Sequence, residues 1–397
     1  MQRRILVLTT SYPSDVDDPS GVFIEQLLVA LARRGFETRV VAPSDGTFHG
    51  RRRIKGIDTL RFGYFLPRSL EKLTAKGGGI PVNMAASPLA RAQVLPMMAM
   101  FLLRALWEVR DADVVYANWT GAGIVGAVVN LVTGKPMIIS FRGDDGYLAR
   151  DRVLWRRLTT WVCRRASVVA PVSAEILGIV RDLGVPEEKC CLPRFGVDTQ
   201  MFYPGPGTTE VPDRVTVLYV GALIRSKGVQ DLLAALACGE LARFRLVVAG
   251  DGLYRSELTA LAAKLGIEER IQWLGMLPPR EVAELMRSAD LLCLPSYSEG
   301  RPNVVNEAMA TGLPVIATRI GGIPDMVDEG ATALLFAPGD VATLRAHLRT
   351  LLDDSSLRKR MGNAGRSLVE CSGLSWDSTA QEFHALISRI LGDKDSD

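Results

Sequence analysis

The sequence has few of the residues on which many catalytic strategies depend. Its 397 residues include three histidines, His49, His347 and His384, too few for a His-rich metal site or a set of histidine acid–base groups. The six cysteines, Cys163, Cys190, Cys191, Cys238, Cys293 and Cys371, contain no CxxC and no paired spacing. Neither a disulfide framework nor a thiolate zinc site is indicated, and reduced thiols of a cytosolic protein are expected. Long apolar runs are missing: the stretch Pro96–Trp107 is broken by Arg104 and is too short to span a bilayer. The first ten residues, MQRRILVLTT, hold too short an apolar core for a signal peptide. No Asp-x-Asp closes a strand, since Asp15-Val-Asp17 lies in a loop and Asp111-Ala-Asp113 precedes its strand. No metal and no other cofactor are therefore expected. The loop after Ile5–Leu8 lacks Gly-x-Gly-x-x-Gly, which disfavours a dinucleotide dehydrogenase.

What is present is ordinary globular composition, 48% hydrophobic and 23% charged, which excludes a disordered chain and suits two domains of this length. Short apolar runs alternate with helical patterns throughout. Ile5–Leu8, Thr38–Ala42, Val114–Ala117, Met137–Phe141 and Val168–Pro171 read as strands of a first series, with a helix over Phe23–Arg33. Val215–Val220, Arg245–Ala249, Ile271–Leu274, Leu291–Pro295, Val315–Ala317 and Ala333–Phe336 form a second. Helices are expected over Val229–Ala237, Arg255–Leu265, Arg280–Met286, Asn303–Ala310 and Val341–Leu352, and a last one over Trp376–Leu391. Runs without alternation indicate parallel strands buried on both faces, so two doubly wound α/β domains follow. The breaker-rich stretch Tyr203–Pro212 is the natural linker.

The net charge of +3 conceals an asymmetry. Residues 1–200 carry 27 Lys/Arg against 19 Asp/Glu, and residues 201–397 carry 20 against 25. The first half is thus suited to an anionic surface or ligand. Arg51-Arg-Arg-Ile-Lys55 is read as a loop. Arg150–Arg165 places Val153, Leu154, Leu158, Trp161 and Val162 on one face and arginines elsewhere. That pattern fits a helix lying on an acidic membrane and, more commonly, a core-facing helix with a solvated basic face.

The most informative segment is Ser298-Glu-Gly-Arg-Pro-Asn-Val-Val-Asn-Glu-Ala-Met-Ala-Thr-Gly-Leu-Pro314. It follows a buried strand and opens a helix, where Gly300 allows close approach and the amides of Asn303, Val304 and Val305 are expected to be free. Free amides and the helix dipole make an anion site. Glu307, about one turn inside, can accept from a ribose diol, and Glu299 can reach a bound sugar. Arg225 and Lys227 lie on the loop after Val215–Val220, the strand end where ligands bind in such sheets, and can hold a diphosphate.

This segment resembles the E-x7-E pattern of glycosyltransferase family 4. The resemblance extends over nearly the whole chain: Tyr12-Pro to Gly21-Val-Phe, Phe141-Arg-Gly-Asp-Asp145, Gly196-Val-Asp198 with Phe202-Tyr-Pro204, Tyr219-Val-Gly221 with Lys227-Gly228, Ala249-Gly-Asp-Gly252 and Gly321-Gly-Ile-Pro-Asp325. It implies a GT-B fold, two Rossmann-like domains facing a central cleft. Residues 1–203, with a C-terminal helix at 378–397, would take the acceptor and residues 204–377 the nucleotide-sugar. It further implies a retaining, metal-independent transfer from a UDP- or GDP-sugar to a glycan or polyprenyl-diphosphate-linked acceptor in polysaccharide synthesis. Glu299, Arg225 and Lys227 would be catalytic. Gly300, Arg301, Pro302, Asn303, Val304, Val305, Glu307, Gly250 and Gly275 would bind the donor, and Gly21, Asn118, Arg142 and Asp144 the acceptor. Contact with the cytoplasmic face of an anionic membrane would use the basic half; no nucleic acid is expected.

Departures from the family pattern occur on both sides, and the single glycine Gly21, where many relatives have two, bears on the acceptor geometry. Arg142 stands where the family often has His, and being always protonated it cannot act as a base. It can clamp an acceptor pyrophosphate, orient Asp144, or pair with Asp144 or Asp145 for loop structure. Ala222 stands where an Arg is frequent, which leaves that charge to Arg225. A nucleotide-sugar binding protein without turnover and an epimerase of the same architecture are the competing functions.

Overall fold

The computed structural model describes residues 3–75, 79–205, 214–237 and 244–392. Cys238 and residues 206–212 of the breaker-rich stretch lie outside them. Contacts divide the chain into two units, one of Met1–Phe195 with Trp376–Asp397 and the other of Gly196–Ser375. The division falls before the breaker-rich stretch because Val197 already pairs with Ser375 and Phe202 already sits in the second core.

The first unit is built on strands β1 (Arg4–Leu8), β2 (Glu37–Pro43), β3 (Gly50–Ile54), β4 (Ile57–Phe62), β5 (Val114–Asn118), β6 (Met137–Phe141) and β7 (Val168–Pro171), in the order β3-β4-β2-β1-β5-β6-β7. All neighbours are parallel except β3 and β4. Helices α1 (Val22–Arg33), α2 (Gly79–Ala86), α3 (Pro88–Ala92), α4 (Val94–Glu108), α5 (Trp119–Thr133), α6 (Asp144–Asp151), α7 (Val153–Arg165) and α8 (Ala174–Asp182) connect them. Every residue of β5, β6 and β7 is buried, as a sheet covered on both faces requires.

The segment Arg51–Lys55, expected as a loop, is instead an edge strand. Lys55 and Gly56 both take positive φ, 45° and 83°, and this tight turn folds Gly50–Ile54 back against Ile57–Phe62. Arg51 is neutralised there by Asp58 and by Glu108, 2.7 Å away. The run of arginines hid the strand because on an exposed edge the side chains need not be apolar.

The second unit holds β8 (Val215–Val220), β9 (Phe244–Ala249), β10 (Ile271–Gly275), β11 (Leu291–Leu294), β12 (Val315–Thr318) and β13 (Ala333–Phe336), all parallel, in the order β10-β9-β8-β11-β12-β13. Its helices are α9 (Val229–Leu236), α10 (Arg255–Lys264), α11 (Pro279–Ser288), α12 (Asn303–Ala310), α13 (Val341–Asp353) and α14 (Ser355–Cys371). The last helix, α15 (Trp376–Leu391), belongs to the first unit. It packs on α1, inserts Phe383 against Tyr116 at 5.3 Å, and is tied by Asp377 to Arg34 and by Glu382 to Arg194. Strand order reverses between β1 and β5 and again between β8 and β11. Those two switch points, at the carboxyl ends of the strands, are where open α/β sheets bind ligands.

Candidate functional site

In the second unit the loops after β8 and β11 meet at the switch point. Arg225–Lys227 form a short 3-10 turn after β8, and Gly228 begins α9 with φ 70°. A Cβ on Gly228 would lie 1.8 Å from the carbonyl oxygen of Pro295, so glycine is required for the two loops to touch. Tyr297 fastens the contact, its amide donating to the Ser226 carbonyl at 2.7 Å and its hydroxyl to Asp231 at 2.6 Å. Lys227 Nζ thereby reaches Glu299 Oε1 at 2.8 Å, and Ser296 Oγ donates to the same oxygen at 2.7 Å. The Glu299 side chain is 9% exposed, so this is a nearly buried ion pair, while Arg225 beside it is exposed.

The helix that follows presents less free backbone than expected. Val305 is buried and its amide donates to the Pro302 carbonyl at 3.1 Å; the first turn tightens to an i→i−3 bond. Asn303 and Val304 are the first two residues of α12, where a helix has no internal partner for its amides. Pro302 is buried at the cap position. The Gly300 carbonyl accepts from the Gly322 amide at 2.6 Å, which seats the loop after β12 against this one. Arg301 is desolvated, which lowers its pKa against the opposing field of Asp325, and its buried Nε has no partner among the described residues. Burial pushes the Glu307 carboxyl up to about 7, the cost of holding a carboxylate away from water without a cation. Gly250 and Gly275 lie at the neighbouring strand ends, where the Gly250 amide donates to the Gly275 carbonyl at 2.7 Å. The two glycines join the ends of β9 and β10.

In the first unit Gly21 caps α1 in the left-handed conformation. Asn118 ends β5, fully buried, and its Oδ1 accepts from Arg142 Nε at 3.2 Å and Nη2 at 2.8 Å. Arg142 Nη2 also donates to the Tyr116 hydroxyl at 2.8 Å. The guanidinium lies over the rings of Phe23 and Phe195, 4.6 and 4.7 Å from their centroids. The carboxylate that shapes the loop after β6 is Asp145. Its Oδ1 accepts from the amides of Arg142, Gly143 and Gly146 at 3.0, 3.1 and 3.2 Å, whereas Asp144 is exposed at the start of α6. Burial outweighs those three amides and raises the Asp145 carboxyl to about 6. Sequence reasoning names Asp145 only as a pairing partner for Arg142, and it passes over Ser296 and the two phenylalanines, since nothing in their spacing marks them. It also passes over Arg61, a buried cation that donates to the Pro43 carbonyl at 3.1 Å and to the Tyr12 carbonyl, joining the loop after β1 to the end of β2.

The sequence matches two family models: "Glycosyl transferase 4-like domain" over residues 20–196 and "Glycosyl transferases group 1" over residues 207–368. Among curated proteins it is 28% identical over 350 residues to the D-inositol 3-phosphate glycosyltransferase of Corynebacterium efficiens, covering 77% of this chain and 80% of that protein. It is 28% identical to a sulfoquinovosyl transferase of Arabidopsis thaliana over 73% of this chain and 57% of that one. Against an MMP alpha-(1->4)-mannosyltransferase of Mycolicibacterium hassiacum it is 34% identical, over 55% of this chain and 53% of that one. The chain thus spans little more than half the length of the latter two relatives. In fold it is similar to sucrose-phosphate synthase from Thermosynechococcus elongatus, with TM-score 0.82, 20% identity and coverage of 99% and 100%. HepE of Anabaena, in complex with UDP and glucose, gives TM-score 0.76 at 21% identity, with coverage of 98% and 100%. With a 4-like domain across its first half and a group 1 domain across its second, the chain belongs to the GT-B glycosyltransferases.

Proposed function

We propose that the protein moves a sugar from a UDP- or GDP-linked donor to a glycan or lipid-linked acceptor in cell-surface polysaccharide synthesis, with retention and without a metal. The second unit takes the donor and the first the acceptor. The observation that carries this reading is the convergence of Lys227, Glu299 and Ser296 beside the start of α12. An entering diphosphate would draw Lys227 away from Glu299 and gain the amides of Asn303 and Val304, while Arg225 and Arg301 add charge at the leaving group. Glu307 would accept from the ribose, and Glu299, released from Lys227, would turn to the sugar. The acceptor hydroxyl attacks on the leaving-group face and its proton passes to a donor phosphate oxygen. Of the aspartates spaced as Asp-x-Asp, Asp113 accepts the Arg4 amide at 2.8 Å at the start of β1, the end of the sheet away from ligands.

We place the acceptor's source at the cytoplasmic face of a membrane. No helix among the described residues is long and apolar enough to cross one, so the contact would be peripheral. Supporting it, Leu95, Leu103 and Trp107 are exposed along one face of α4, and Val153 and Leu154 are exposed on α7 among exposed Arg152, Arg156 and Arg157. Both helices pack on α5. The fully buried residues of α7 are Thr159, Val162 and Cys163, and Trp161 packs half-buried against the same core.

The test is transfer from UDP- and GDP-sugars to lipid-linked glycan extracts in EDTA, with the anomeric configuration read by proton NMR. An α-linked product from an α-linked donor supports the reading, and inversion contradicts it. Flotation with anionic and neutral vesicles tests the membrane part, and equal recovery from both would end it.

A further inference from the structure

Several arginines of the first unit meet a carboxylate. Arg39 and Arg51 pair with Asp58 and Glu108, Arg34 with Asp377, Arg194 with Glu382, and even buried Arg61 stands 3.4 Å from Asp45. Arg142 differs. Among the described residues no carboxylate lies within ion-pair distance of its guanidinium, and all its side-chain partners are neutral: the Asn118 carboxamide, the Tyr116 hydroxyl and two phenyl faces. The nearest acid, Asp145, has one oxygen filled by three backbone amides and leaves the other, buried, without a partner. Desolvation pulls the Arg142 pKa down, and Tyr116 and the Asp145 charge oppose it only in part, so the cation is held at a cost. An arginine retained only to brace a loop would be expected to have a counter-charge.

The surroundings fix the guanidinium and leave one edge open. Nε and Nη2 are both engaged and two rings lie against the guanidinium, but Nη1 makes no hydrogen bond among the described residues. Phe23, which covers one face, stands on the first turn of α1, so the positive end of that helix dipole adds to the same place. Asn118, 0% exposed, carries a further donor, its Nδ2, that has no partner among the described residues. We propose that Arg142 is an oxyanion receptor, and that the acceptor bears a carboxylate or a phosphate that docks against its Nη1 edge. This rests on the reading of the first unit as the acceptor side. It narrows that acceptor to an acidic one, either a uronic-acid glycan or a phosphorylated lipid or sugar.

The experiment titrates the full chain with glucuronate and, separately, inorganic phosphate, with UDP or GDP present in excess to occupy the diphosphate site. Tryptophan fluorescence reports binding, since Trp119 lies edge-on to Phe23 at 6.1 Å. The decisive variant is Asn118→Asp, which places a counter-charge on the guanidinium with almost no change of shape; Arg142→Gln removes the cation. The proposal expects a response to glucuronate, to phosphate or to both, weakened about tenfold or more in either variant. It expects Asn118→Asp to melt no lower than the parent. A response to glucuronate alone identifies a uronic-acid acceptor, and a response to phosphate alone a phosphorylated one. The proposal is overturned if neither anion binds the parent, or if Asn118→Asp binds them as the parent does. Should Arg142→Gln not fold, Asn118→Asp decides. The nucleotide is monitored in the same titration, so failure of the donor site appears separately.

Discussion

Replacing Lys227 by Met removes the cation from Glu299 and keeps the bulk of the side chain. At 2.8 Å and an effective dielectric constant of about 20, the direct attraction is about 6 kcal/mol. Much of this is offset by desolvation of the two charges, and the Lys227 side chain is 23% exposed. A net loss of about 1–3 kcal/mol is expected, below the range for a fully buried pair. For a domain of this size that lowers Tm by about 3–10 °C. The double variant Lys227→Met/Glu299→Gln recovers most of the loss, because Ser296 Oγ can still donate to the carboxamide oxygen that replaces the carboxylate. Nucleotide affinity behaves differently: about 1.5–3 kcal/mol of charge-assisted hydrogen bonding to phosphate is absent from both variants. Both should bind UDP or GDP about ten- to a hundredfold more weakly. Thermal melts and isothermal titration of the parent, the two single variants and the double variant complete the cycle. The reasoning is refuted if Lys227→Met melts like the parent, or if the double variant regains nucleotide affinity along with stability.

Glu307 has a pKa of about 7 in the fold against an ordinary value near 4.5. The folded state therefore binds the proton more tightly than the unfolded one, and stability falls as pH rises from about 4.5 through about 7. Glu307→Gln should melt above the parent at pH 8 and level with it at pH 4, which differential scanning calorimetry at the two pH values reads directly. Asp145→Ala leaves three backbone amides without an acceptor and should cost about 1–3 kcal/mol. Asp145→Asn keeps the accepting oxygen and should lose much less, as paired thermal melts will show. Gly228→Ala drives a methyl group into the Pro295 carbonyl, so it should lower both Tm and nucleotide affinity, whereas Gly35→Ala, with open space around it, should leave nucleotide affinity unchanged. Phe383→Ala opens the contact of α15 with Tyr116 and Phe195 and should cost about 3–5 kcal/mol, measured by melting of the first unit.

How much of this can be read from the residues depends on whether the signal is local. Strands such as Met137–Phe141 and Val215–Val220 match their apolar runs to the residue, because a strand buried on both faces needs an unbroken run. α12 matches as well, its start set by Pro302. Helices α4 and α5 escape assignment from the sequence, since an almost wholly apolar stretch such as Val94–Leu103 has little periodicity. The basic edge strand fails for the opposite reason, as its polar side chains carry no burial pattern. At the site, the pairing of Lys227 with Glu299 joins residues 72 positions apart. It depends on a glycine fitting under a carbonyl, which sequence order does not express. The neutral hydrogen-bond partners and rings around the Arg142 guanidinium come from α1, β5 and position 195, and only the fold brings them together.

The central claim is that the second unit holds a nucleoside diphosphate sugar through Lys227, the start of α12 and Glu307. Thermal shift of the parent and of Glu307→Ala against UDP-, GDP- and ADP-sugars, all in EDTA, tests it most directly. The account predicts that one nucleotide family raises the melting temperature of the parent in EDTA and that Glu307→Ala loses the response. It is contradicted if no nucleotide-sugar shifts the parent, or if Glu307→Ala responds as strongly as the parent does.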